Sequence, residues 1–84
     1  MFYVYVLRSK KDGMLYVGFT GDLKQRFDAH NAGKVKSTRA RVPFELLYYE
    51  ACRQQPDAVH REKYLKSSYG HRYLKNRLRG DLDR

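Results

Sequence analysis

Eighty-four residues allow one small domain with a modest core and leave little for a second module. Eighteen lysines and arginines against nine aspartates and glutamates give a formal charge of +9, which calls for an anionic partner, most simply nucleic acid. A membrane role is disfavoured: no apolar run is long enough to span a bilayer, and the N-terminus has a strand pattern rather than that of a signal segment. A single cysteine, Cys52, excludes an internal disulfide and a thiolate zinc cluster, so a cytoplasmic protein is expected and Cys52 reads as a packing residue.

Two strand-like runs, Tyr3-Val4-Tyr5 and Tyr16-Val17-Gly18, alternate with period two, so that Tyr3, Tyr5 and Leu7 share one face while Leu15, Val17 and Phe19 lie opposite Tyr16 and Gly18. Asp12-Gly13 supplies a turn that tolerates positive φ, which predicts an antiparallel hairpin of residues 2–8 and 14–19. Asp22 followed by Gln25 reads as a capping box and Gly33 as a C-terminal stop, predicting a helix over 22–32. Its buried stripe is Leu23 and Phe27, and Arg26 and His30, four apart, share a neighbouring edge. Residues 34–41 show neither period and read as a mobile loop. Lys34, Lys36, Arg39 and Arg41 are its cations, and Ser37 and Thr38 offer hydroxyls to phosphate oxygens.

Beyond Pro43, residues 44–50 are apolar and aromatic enough for a third strand beside the hairpin, completing a sheet that stands if helices cover one face. Pro56 and Asp57 mark a second helix start, running to about Tyr69. Counted from Ala58 at one hundred degrees per residue, Glu62, Leu65 and Tyr69 fall in one narrow sector. Glu62 therefore lies within the apolar stripe, where a carboxylate is costly unless a cation or donors meet it. Gly70 interrupts the pattern. A last helix, His71 to Arg79, turns Leu74 and Leu78 inward and Arg72, Lys75, Arg77 and Arg79 outward, and Gly80 ends it. The reading is α+β: a three-stranded antiparallel sheet flanked by helices in the order β-β-α-β-α-α.

The two triplets on neighbouring strands, Arg26 and His30 on the helix that follows, and Glu62 within Arg61-Glu62-Lys63-Tyr64-Leu65-Lys66 resemble, in order and spacing, the GIY-YIG nuclease superfamily. Within it the likeness is to small single-domain bacterial members and to the N-terminal domains of excision-repair nucleases, over about residues 1 to 80. The resemblance implies one GIY-YIG domain over the whole chain and an endonuclease, structure-specific or non-specific, hydrolysing DNA in a repair setting. It assigns Tyr16 as base or water-orienting group, Arg26 to the phosphate and Glu62 to the metal, with Tyr5 supporting, His30 as helper and Asn76 as the nearest match to a polar residue beyond the Glu helix. Tyr3 stands where members usually have glycine, and Phe19 where many have a basic residue.

The residues themselves suit that chemistry. Phosphodiester hydrolysis needs a nucleophile, charge neutralisation on the phosphoryl oxygens and help for the departing oxygen. One carboxylate suffices for Mg²⁺ (or Mn²⁺), which keeps much of its water shell; Arg26 can fork onto phosphate; and a tyrosine, which ordinarily titrates at about pH 10, becomes a base only beside a cation. Structural rivals exist for each: sheet aromatics for Tyr5 and Tyr16, pairing with Asp22 for Arg26, a helix-end imidazolium for His30, pairing with Lys66 for Glu62, and a plain surface residue for Asn76. The functional alternative is a non-catalytic binding module within a larger repair or RNA-processing assembly, with Lys34, Lys36, Arg39, Arg41, Arg72, Lys75 and Asn76 as its nucleic-acid contacts. DNA is the expected partner, RNA a second, and a partner protein would then supply specificity.

Overall fold

Val4, Tyr5, Val6 and Leu7 are consecutive apolar or aromatic residues, an unbroken run that suits a strand covered on both faces better than one with a wet side. In the computed structural model, which describes residues 1–82, this run lies in the central strand. β1 (Phe2–Ser9) lies between β2 (Leu15–Thr20) and β3 (Phe44–Cys52), antiparallel to both, and those four residues are at most 1% exposed. The helices are α1 (Leu23–Asn31), α2 (Gln55–Lys66), α3 (Ser68–Arg77) and a short α4 (Arg79–Leu82).

Period two then sorts the core. Val4 and Val6 join Val17 on one face and pack with Ala58, Leu65, Leu74 and Leu78 of α2, α3 and their junction with α4. Tyr5 and Leu7 point the other way, with Phe44, under Tyr16 and the α1 residues Leu23 and Phe27. Helices therefore cover both faces, where one was expected. Tyr3, in place of the family's glycine, meets Tyr49 edge-on at 6.1 Å.

The hairpin loop is wider than a tight turn, and Ser9 organises it. Its buried Oγ accepts from the Lys11 and Asp12 amides and donates to the Arg41 carbonyl at 2.6 Å. Gly13 takes φ 74°, and Arg41 grips the Asp12 carboxylate, holding its pKa down at about 2. Residues 34–41, expected to be a loop, run as turns that end in a 3₁₀ turn at Arg39–Arg41, with Val35 and Thr38 buried. The α1 boundaries follow the sequence closely. Asp22 caps the Gln25 amide, but the return half of the expected capping box comes from Thr20 Oγ1, which accepts from the Asp22 amide at 3.1 Å. Gly33, at φ 74°, closes the helix by donating to His30 O while Lys34 donates to Ala29 O.

The second helical region departs from expectation. α2 stops at Lys66 rather than Tyr69, because Ser67 leaves helical geometry and caps a new helix by accepting from the Gly70 amide at 3.2 Å. Gly70 is inside α3, not a break: a Cβ there would collide with the Tyr64 carbonyl oxygen and the Leu65 Cα, so glycine is what lets the α2–α3 corner close. Tyr69 consequently leaves the inward stripe and is 67% exposed. Gly80 falls within α4 instead of ending α3. Among the described residues no helix is long and apolar enough to cross a membrane.

Candidate active site

Tyr5 lies opposite Gly18 in the β1–β2 register. A Cβ on Gly18 would sit 2.5 Å from the Tyr5 hydroxyl and 2.7 Å from its Cζ, so the phenol lies across Gly18 toward the β2 edge of the sheet. Absence of a side chain at that point gives the ring its seat. α1 then brings His30, fully buried, against it: the Tyr5 hydroxyl and His30 Nε2 are 2.9 Å apart, and His30 Nδ1 and Thr38 Oγ1 2.8 Å apart. The tautomer is assigned from the far end of this chain. Buried Thr38 has the Val35 carbonyl, at 3.5 Å, as acceptor for its own proton, so its oxygen accepts from His30 Nδ1–H; Nε2 in turn accepts from the Tyr5 O–H.

Electrostatics agree with a neutral ring. Burial, reinforced by the Arg26 guanidinium, pulls the His30 pKa down to about 4, which speaks against the structural rival of a helix-end imidazolium. Burial also pushes the Tyr5 phenol above its usual range; Arg26 pulls it back, while Tyr16 and the Glu62 carboxylate add to the rise. Tyr5 is thus the point that groups from three elements act on: Tyr16 from β2, Arg26 and His30 from α1, and Glu62 from α2. The Tyr16 ring lies 5.1 Å from His30 and 6.4 Å from Tyr5. Arg26 is half-buried, and the sequence-based rival for it, pairing with Asp22, does not form, since the Asp22 carboxylate is taken by the helix cap. Glu62 keeps only 17% of its side chain exposed and bonds Lys66 Nζ at 3.2 Å, so the expected i, i+4 pair coexists with its inward position.

The basic residues divide. Lys34, Lys36 and Arg39 are exposed on the connector beside α1, whereas Arg41 is held by Asp12 and lies over the Phe44 ring at 5.5 Å. Arg72, Lys75 and Asn76 are exposed on α3, across the sheet from α1, and Asn76 lines a cleft with Tyr64, Tyr69, Arg72 and Tyr73 rather than facing Tyr5. Cys52 half-buries against the core, as a packing residue would.

The sequence matches the GIY-YIG catalytic domain over residues 1–77. The chain belongs to the GIY-YIG family. This is a family of nuclease domains, so a nucleic-acid substrate goes with membership. A UPF0213 protein of Streptococcus agalactiae is 48% identical over 65 residues, covering 76% of this chain and 73% of its own length. Another, from Bacillus licheniformis, is 39% identical and covers 96% of this chain and 87% of its own. Among solved structures, the solution NMR structure of a UPF0213 protein from Bacillus halodurans is 34% identical, with a TM-score of 0.59 over 99% of this chain and 92% of that one.

Several residues that hold this GIY-YIG domain together do not stand out in the sequence. Asn31 clamps the end of α1 to the start of β3 through both sides of Phe44, donating to its carbonyl at 3.0 Å and accepting from its amide at 2.6 Å. Its position directly after His30 is the one available signal. Thr38, by composition a phosphate donor, is instead a partner of His30. Glu50 takes a fork from Arg61, at 2.9 Å from both Nε and Nη2, and a bond from Tyr48 at 2.7 Å, fastening β3 to α2. Burial pushes the Glu50 carboxyl up, and those partners more than offset it.

Proposed function

We propose that this GIY-YIG domain is a divalent-metal-dependent endonuclease that hydrolyses DNA phosphodiester bonds with a single metal ion, acting in the cytoplasm in a repair setting. What supports the reading is the set of groups that act on the Tyr5 phenol: His30 bonded to its hydroxyl at 2.9 Å, the Tyr16 ring at 6.4 Å, and the Arg26 and Glu62 charges, which lower and raise its pKa. Among the described residues no three His, Cys, Asp or Glu side chains cluster, so the donor set is one hard carboxylate, Glu62. That set fits Mg²⁺ or Mn²⁺, which draws its remaining oxygens from water and phosphate, and does not fit an all-protein cage. When bound, such an ion neutralises charge on the phosphoryl and departing oxygens.

The chain's own residues supply the rest. Arg26 forks onto the scissile phosphate and offers planar bidentate donors that lysine lacks. Tyr16, the phenol not committed to His30, orients the attacking water through its hydroxyl oxygen. Tyr5, with its pKa raised and its O–H turned toward Nε2, stays protonated and fixes the polar wall of the groove. His30, neutral at physiological pH, holds that phenol by accepting a hydrogen bond from it. Lys34, Lys36 and Arg39, exposed beside α1, engage the flanking phosphates, whereas Arg41 is occupied by Asp12 and Arg72, Lys75 and Asn76 stand on the far face of the sheet. The test is incubation of the purified chain with plasmid, branched and single-stranded DNA, and the matching RNA, in Mg²⁺ or Mn²⁺ against chelator. Cutting of DNA in metal, absent in chelator and abolished by Glu62→Ala with the fold retained, supports the reading; binding without cutting in either metal overturns it in favour of the non-catalytic module.

A further inference from the structure

Turning Tyr69 out of the core leaves a feature that neither packing nor the groove around Tyr5 explains. On α3, Tyr69, Arg72, Tyr73 and Asn76 recur at helical spacing and form one face, and the corner at Gly70 sets Tyr64 of α2 beside them. Together these five line an open cleft of about 450 Å³. Tyr64 is 38% and Tyr69 67% exposed.

The cleft is preorganised on one side. The Arg61 guanidinium, fixed by the Glu50 fork, lies 5.2 Å from the Tyr64 ring centroid and 4.8 Å from that of Tyr73, which holds both rings in place. On the other side Arg72 sits 5.7 Å over Tyr69. Residues 63–80 carry six lysines and arginines and no acidic residue. Exposed aromatic rings interleaved with arginine, on a stretch of net positive charge, match the two needs of an unpaired nucleic-acid strand: π-faces for the bases and cations for the phosphates. An acidic or apolar protein surface would use the charge or the rings, but not both together with the amide of Asn76.

We propose that the Tyr64–Tyr69–Arg72–Tyr73–Asn76 cleft is a second nucleic-acid site that stacks unpaired bases of a single-stranded segment, separate from the groove around Tyr5. The proposal rests on the nuclease reading only in that both take nucleic acid as partner. It gives that reading a substrate class: DNA in which the duplex adjoins an unpaired strand.

The test is equilibrium binding by fluorescence anisotropy, in chelator so that nothing is cut. The probes are a labelled single-stranded oligonucleotide and the duplex of the same sequence, presented to the full chain and to Tyr69→Ala, Tyr64→Ala and Tyr69→Phe. Tyr69→Ala should weaken single-strand binding roughly 5- to 100-fold, the loss expected for one stacked base, with Tyr64→Ala similar, Tyr69→Phe close to wild type, and duplex binding altered less than about two-fold. Equal losses on both probes, or none on either, overturn the proposal. So does a Tyr69→Ala variant that changes self-association in sedimentation but not oligonucleotide affinity, which would make the cleft an interface between copies. Selective single-strand loss in a chain that never cuts would sink the nuclease reading and keep this site; cutting with unchanged Tyr69→Ala binding would do the reverse.

Discussion

Replacing Gly18 with alanine puts the seat of the Tyr5 phenol directly to the test. The added methyl would stand 2.5 Å from the Tyr5 hydroxyl, 2.7 Å from Cζ and 3.2 Å from a Tyr16 ring carbon. Tyr5 cannot swing clear: it is 1% exposed and its hydroxyl bonds a fully buried His30. Overpacking of this kind costs about 1–3 kcal/mol, and loss of the Tyr5–His30 hydrogen bond adds about 1 kcal/mol, giving roughly 2–4 kcal/mol. For a chain of this size that lowers Tm by roughly 10–25 °C in a circular-dichroism melt. Tyr5→Phe removes the nearest clashing atom, so in that background the cost of Gly18→Ala should fall by roughly 1 kcal/mol, a coupling a double-mutant cycle resolves. An unchanged Tm, or strictly additive single variants, would refute the placement of the phenol over Gly18.

Gly70→Ala should be more damaging, about 3 kcal/mol or above, because the new methyl meets main-chain atoms of Tyr64 and Leu65 that cannot rotate away; a Tm drop of only a degree or two in the same melt would contradict the close α2–α3 corner. His30 makes a pH signature. Its folded pKa of about 4 lies below the ordinary 6.5, so the unfolded chain takes up a proton first, and stability present above pH 6.5 is lost as pH falls toward 4, by roughly 3 kcal/mol in all. Urea midpoints across pH 4–8 should show that slope in wild type and lose it in His30→Gln, and an NMR titration of the ring with its midpoint near 6.5 would count against a buried neutral imidazole. Thr38→Val keeps the shape but strips His30 Nδ1–H of its acceptor, so it should cost roughly 1–3 kcal/mol, against almost nothing for Ser37→Ala at the exposed neighbour; equal effects would dissolve the relay.

The strands and α1 were legible because local signals were strong and unopposed: β-branched and aromatic runs around Asp12-Gly13, an Asp22 cap and a Gly33 stop. The α2–α3 region was not, because glycine carries two meanings in sequence. At Gly33 it ends a helix by taking positive φ, whereas at Gly70 it sits in a helical turn and makes room for a crossing backbone, which only tertiary contact reveals. The candidate site was drawn from the sequence as a set of residue types and spacings, and Glu62 was singled out by its place between Ala58 and Leu65. What periodicity could not deliver was the bonding among them. Thr38 lies in a stretch with no period, and its burial depends on the connector winding back over α1 to meet His30. Alternation pointed to cover on one face only, and the second face is covered because β1 is the central strand and α1 packs over Tyr5 and Leu7.

Manganese broadening probes the convergence of α2 on the early strands. In a proton–nitrogen and proton–carbon NMR titration, substoichiometric Mn²⁺ should selectively broaden Glu62, Tyr5, Tyr16 and Arg26, which lie far apart in the sequence, and should leave them sharp in Glu62→Gln. Broadening confined to other carboxylates, or undiminished in Glu62→Gln, would place the cation elsewhere and contradict a nuclease centre at Glu62.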